Sequence, residues 1–118
     1  MRIEIRQEGA VAVAQVAGEI DMANSSQFAD EVLGKMADDS TALIVDLTQL
    51  DYIDSAGVRS LFQIAAALKM RDQFLGVAVL EGSPLRSVLK VMQVEDVASI
   101  CGTLDECLDL ASAERPQA

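Results

Sequence analysis

The side chains best placed to do chemistry gather in one stretch near the middle of the chain, Asp46-Leu47-Thr48-Gln49-Leu50-Asp51-Tyr52-Ile53-Asp54-Ser55-Ala56-Gly57-Val58-Arg59. Carboxylates, hydroxyls and a guanidinium stand there where an apolar run gives way to an amphipathic one. Ser55 is followed by Ala56 and Gly57, so little side-chain bulk crowds its hydroxyl. A serine attacks a substrate only when a base takes its proton. The chain has no histidine, which removes the usual general base and the Ser-His and Cys-His pairs of hydrolases. A hydroxyl without its own base can still accept a phosphoryl group from another protein, gaining about −1.5 to −2 charge and three acceptor oxygens. The competing reading is that Ser55 merely caps a helix, as serine does well and as Asp54 would do equally. The third residue after Ser55 is Val58, so no reciprocal glutamate or glutamine completes a capping box around it.

Other groups carry less. Asp46, Asp51 and Asp54 resemble a magnesium set, but a strand-end acid with loop acids is a commonplace pattern, and no metal is expected. Cys101 and Cys107 lie six apart with no histidine to complete a zinc site, and in a chain without an export signal they read as buried free thiols. No cofactor is implied.

The elements that must position Ser55 follow from periodicity. At 118 residues and 51% apolar composition, the chain fits a single domain over residues 1–112, with 113–118 as a frayed tail. No run approaches the ~20 apolar residues of a bilayer span. The opening Met1-Arg2-Ile3-Glu4-Ile5-Arg6 alternates charge with apolar residues, unlike a signal peptide. A cytoplasmic location is expected, with no membrane contact. The formal net charge of −10, from 19 acidic and 9 basic residues, repels nucleic acid. It either keeps a small monomer soluble or steers the protein toward a basic face of a partner.

Ile3 and Ile5 alternate with charge as in a half-buried strand, Glu8-Gly9 makes a turn, and Ala10–Ala17 returns as an antiparallel partner closed by Gly18-Glu19-Ile20-Asp21. Asn24 followed by Gln27 imitates a capping box, and Phe28, Val32 and Met36 form one helical stripe. Ala42–Leu47 reads as a strand covered on both faces. Val58, Leu61, Phe62, Ala65 and Leu68 mark a helix over Ser55–Met70. Leu75–Leu80 is a second buried strand, and Ser83-Pro84 opens a third helix with Val88 and Met92 on its inner face. A short strand over Ala98–Cys101 and a last helix capped by Thr103 and Glu106 complete the order. The pattern predicts an α/β fold: a mixed sheet of four to five strands with an N-terminal antiparallel hairpin and parallel interior, packed with about four helices.

With these motifs in place, the chain resembles the STAS-domain anti-sigma factor antagonists. Tyr52-Ile53-Asp54-Ser55-Ala56-Gly57-Val58 after a strand ending in Asp46-Leu47 looks like that family's phosphorylation segment, and Gly18-Glu19-Ile20-Asp21 looks like its second signature. The order of elements agrees from Ile3 to Leu110. The resemblance implies a partner-switching binding module, not an enzyme. The unmodified form binds an anti-sigma factor that is also its serine kinase, which frees a sigma factor; phosphorylation of Ser55 releases the antagonist, and a serine phosphatase resets it. By the same resemblance Asp21, Asn24, Asp54, Ala56, Gly57 and Arg59 form the partner-binding face. Arg59 departs from members with a second glycine there. Alternatives are a STAS subunit of a lipid-transport complex or stress-signalling scaffold that works without phosphorylation, and an enzyme or receiver-like aspartate phosphoacceptor, against which the early hairpin argues.

Overall fold

Alternation in the first strand and unbroken apolar character in the third fix how the sheet is covered. The computed structural model describes residues 1–113, in the order β1 (Arg2–Glu8), β2 (Val11–Ile20), α1 (Ser25–Lys35), β3 (Ala42–Ile53), α2 (Ser55–Met70), β4 (Phe74–Ala78), α3 (Pro84–Val91), a 3₁₀ turn (Val94–Asp96), β5 (Ser99–Cys101) and α4 (Leu104–Ala113). The five strands lie in chain order across one sheet, β1 antiparallel to β2 and the rest parallel. Ala113, expected to begin a frayed tail, closes α4; 114–118 lie outside the described residues.

β3 is the central strand, and it is covered on both faces as its composition demands. Leu43 and Val45 pack with Phe28 and Val32 of α1, Leu61, Ile64 and Leu68 of α2 and Leu85 and Leu89 of α3. Ala42 and Ile44 face the other way, against Cys107 and Ala111 of α4. Ile3 and Ile5 of β1 pack at the edge of the larger core while Arg2, Glu4 and Arg6 stay exposed, which is the half-buried strand the alternation predicts.

Several local expectations differ from the structure. β2 continues past Ala17 through Ile20, because Gly18, Glu19 and Ile20 pair with Leu50, Tyr52 and Ile53 of a β3 that itself runs well beyond Leu47. The pairing slips between Gln15 and Ala17 and again between Gly18 and Glu19. Gly18, at φ +93°, takes a left-handed conformation that a side chain would resist. Asn24 makes no capping hydrogen bond to α1; its amide is engaged in the preceding turn. Val88 and Met92 are not on the buried side of α3. That helix has only eight residues, Leu85 and Leu89 take its buried stripe, Val88 lies at the stripe's edge, and Met92 falls past the last helical residue. The expected Ser83 cap and first-turn Pro84 are both present, and Thr103 Oγ1 accepts the Glu106 N–H at 3.1 Å to open α4.

Candidate functional site

Because β2 and β3 are parallel neighbours whose register ends with Ile20 opposite Ile53, the turns that follow them leave the sheet side by side. The Asp54 N–H donates to the Ile20 carbonyl at 3.2 Å, closing the last rung. Asp54 is then the N-cap of α2, in extended backbone. Its Oδ1 accepts the Gly57 N–H at 2.9 Å and its Oδ2 accepts the Met22 N–H at 3.1 Å. One carboxylate thus satisfies a free amide at the helix start and fastens the β2–α1 turn to it.

That turn is tied within itself. Asn24 Oδ1 accepts the Asp21 N–H at 2.9 Å, and Asn24 Nδ2 donates to the Glu19 carbonyl at 3.0 Å. Asp21 Oδ1 accepts the Ala23 N–H at 2.9 Å, and the Asp21 carbonyl accepts the N–H groups of Asn24 and Ser25 at 3.1 and 2.9 Å. These are the local side-chain-to-backbone bonds that Asp and Asn favour in turns.

Ser55 is the first residue of α2, and it does not cap the helix, since Asp54 does. Its side chain is exposed, and among the described residues its hydroxyl makes no hydrogen bond. Arg59, one turn further along α2, is also exposed, and i, i+4 residues share a helix face. Ala56 is half-buried, as are Asp21, Asn24 and Asp54.

Gly57 is buried, and its place is dictated by packing. A Cβ there would sit 2.6 Å from Ile53 Cγ1 and 3.0 Å from both Ile20 Cγ2 and the Ile20 carbonyl oxygen. Glycine lets the helix start press onto the ends of β2 and β3, and the Asp54 carboxylate, next to Ser55, reaches the turn at Met22. The structure therefore brings the six residues and Ser55 to one end of the sheet, but of these only Ser55 and Arg59 are exposed. Sequence reasoning passed over Met22, at the tip of the turn and 82% exposed. Its only signal was an apolar residue among turn formers.

Among the described residues no three acids, cysteines or histidines come together as a metal site. Asp46 is buried beside β2, where its carboxylate accepts from Gln15 Nε2 at 3.3 Å and from Thr48 N–H and Oγ1 at 2.9 and 2.7 Å. Cys101 and Cys107 are free and buried, as expected. Burial foremost, then the adjacent Cys101 thiol and the Asp46 and Glu106 carboxylates, push the Cys107 thiol well above the ordinary thiol range. No helix among the described residues is long and apolar enough to cross a membrane.

The family model for the STAS domain matches residues 2–107. Among curated proteins, the chain is 26% identical over 106 residues to the anti-sigma-F factor antagonist RsfB of Mycobacterium tuberculosis, covering 90% of this chain and 85% of that one. Among solved structures, an anti-sigma factor antagonist from Mycobacterium paratuberculosis superposes with a TM-score of 0.83 at 22% identity, covering 94% of this chain and 93% of that one. The Bacillus cell fate determinant SpoIIAA in its phosphorylated form gives a TM-score of 0.62 at 19% identity, over 92% of this chain and 97% of that one. Its unphosphorylated form gives 0.66 at 19% identity, over 94% and 98%. At these identities the solved structures establish a shared fold.

Proposed function

From the premise that the chain belongs to the STAS domain family, we propose that it is an anti-sigma factor antagonist: a binding module that docks an anti-sigma factor serine kinase through the end of the sheet around Ser55 and is released when Ser55 is phosphorylated. The observation that carries this reading is the Ser55 hydroxyl, exposed at the first residue of α2 and unused as a cap. A helix start that needed Ser55 for capping would oppose modification. Here Asp54 holds the cap, so the hydroxyl is free to be modified at little structural cost.

The physics of release follows from where the charge would appear. The helix dipole favours an anion at its N-terminus by about 0.3–1 kcal/mol, while the neighbouring Asp54 carboxylate opposes it. Within the isolated protein these effects largely offset each other. A partner surface closed over Ser55 changes the balance, because an unpaired charge buried in an interface costs several kcal/mol, and each ~1.4 kcal/mol is a tenfold loss of affinity. One phosphate therefore separates the partners without unfolding either. Relatives support the reading: RsfB is named an anti-sigma-F factor antagonist, and SpoIIAA is described in both unphosphorylated and phosphorylated forms. In this cycle a serine phosphatase removes the phosphate and restores binding.

The test is to incubate the purified chain with a panel of purified anti-sigma factor kinases and Mg·ATP, and to map phosphate by mass spectrometry. The expected result is one phosphate, on Ser55, from each kinase that binds. A kinase that binds tightly and leaves Ser55 bare overturns the switch.

A further inference from the structure

Resting on the antagonist reading above, we propose that Met22 is the apolar anchor of the docking face, and that it seats in an apolar socket on the partner kinase bordered by lysine or arginine.

The turn that carries Met22 has few polar groups left to offer. Its four successive backbone N–H groups are all taken within the chain: Asp21 N–H by Asn24 Oδ1, Met22 N–H by Asp54 Oδ2, Ala23 N–H by Asp21 Oδ1 and Asn24 N–H by the Asp21 carbonyl. Asn24 has both ends of its amide engaged, and Asp54 both oxygens. Asn24 and Asp54 are thus positioning residues more than contacts. What the turn presents outward is the Met22 side chain, 82% exposed, with only the small Ala23 exposed beside it.

A single exposed apolar residue on a mobile loop would mean nothing. Met22 differs in being held. Its own N–H hangs from the carboxylate that caps α2, so its backbone is tied to the residue that precedes Ser55. A partner that grips Met22 loses little ordering entropy in the loop, and in gripping it places the Ser55 hydroxyl at a fixed offset, which is what a kinase needs from its substrate. A thioether side chain adapts to an irregular apolar socket. The charge of the rim follows from the surroundings: Glu19 and Asp51 are exposed near the ends of β2 and β3 and Asp21 adjoins Met22 directly, outnumbering the exposed Arg59 of α2, within a chain of net charge −10. A basic border on the partner complements them.

The experiment takes the purified kinase that binds wild type most tightly in the panel described above and measures Kd and steady-state phosphorylation for wild type, Met22→Ala, Met22→Gln and Met22→Leu. Met22→Ala and Met22→Gln are expected to weaken binding at least tenfold and raise KM for this chain by a similar factor while leaving kcat within about twofold, with Met22→Leu restoring most of the affinity and all melting temperatures unchanged. Added salt should weaken wild type and Met22→Ala in parallel. Unchanged Kd and KM in Met22→Ala overturn the anchor and leave the antagonist reading standing. A fall in kcat without a change in KM also overturns it, because Met22 would then act on transfer rather than docking. Absence of any kinase that binds wild type defeats the antagonist reading itself.

Discussion

The Asp54 carboxylate accepts the Met22 backbone N–H at 3.1 Å across a sequence separation of 32 residues, and with its other oxygen it caps the helix that begins at Ser55. A turn after one strand and a helix after the next are thereby made into a single surface. That surface depends on one side chain that touches solvent only in part.

Replacing Asp54 by alanine removes both bonds. An N-cap is worth about 0.5–2 kcal/mol, and a second, charge-assisted bond adds about 1 kcal/mol or more. Asp54→Ala should lose roughly 2 kcal/mol in urea unfolding. Asp54→Asn keeps one acceptor oxygen and should lose about half as much. Hydrogen exchange at the Met22 amide should rise more than at amides in the middle of β3, and equal protection in mutant and wild type would show that the bond does not hold the turn.

Ser55 behaves differently because it neither caps nor packs. Ser55→Ala should change stability by less than about 0.5 kcal/mol, as for an exposed site outside any special feature. Ser55→Asp should likewise leave the melting curve in place yet weaken kinase binding at least tenfold, which corresponds to about 1.4 kcal/mol or more. Titration calorimetry decides it, and equal affinity for wild type and the Ser55→Asp variant would exclude charge as the means of release.

Much of the fold was legible in residues alone. Strand type could be read from β3 because both its faces are apolar from Ala42 to Val45, and α2 from Ser55 to Met70 because its stripe is continuous. Asp21, Asn24, Asp54 and Gly57 stood out as a group through the resemblance to the STAS family. Their division of labour did not. Whether Asp54 or Ser55 caps α2 depends on which side chain meets the Gly57 N–H, and two adjacent cap formers look alike in sequence. Gly57 read as a contact residue, whereas the tight approach of Ile20 and Ile53 that requires it exists only once two distant strands pair in register. The misplacement of Val88 and Met92 has a similar origin: an eight-residue helix offers too few turns for periodicity to separate the stripe from its edge.

The buried thiols yield a prediction in pH. Cys107 keeps its proton in the folded chain far more firmly than the ordinary thiol value of 9.0, chiefly because burial disfavours the thiolate. Below pH 9 both states hold the proton and stability is unaffected. Above it the unfolded chain releases a proton that the folded chain retains, so unfolding is favoured progressively as pH rises. Stability measured by urea unfolding should therefore fall above about pH 9, and this fall should shrink in Cys107→Ala once its lower baseline is subtracted. Iodoacetamide at pH 8 should label Cys107 only in denaturant; rapid labelling of the native chain would contradict the burial.

Gly57 offers the sharpest separation of packing from chemistry at this site. Alanine is a better helix former than glycine by about 1 kcal/mol, so in an open helix Gly57→Ala would stabilise. Here the added methyl would meet Ile53 Cγ1 at 2.6 Å and the Ile20 carbonyl oxygen at 3.0 Å. The isoleucine side chain can turn at some rotamer cost, but the carbonyl belongs to the rung that Asp54 N–H closes and cannot yield without breaking it. Overpacking of this kind costs about 1–3 kcal/mol, so the net effect of Gly57→Ala should be a loss of stability. Relief can come from α2 lifting off the sheet, which would pull Asp54 Oδ2 away from Met22. Faster hydrogen exchange at Met22 together with a lower urea midpoint is the expected pair of results, and a stabilised Gly57→Ala with Met22 still protected would show that the helix start has more room than this packing gives it.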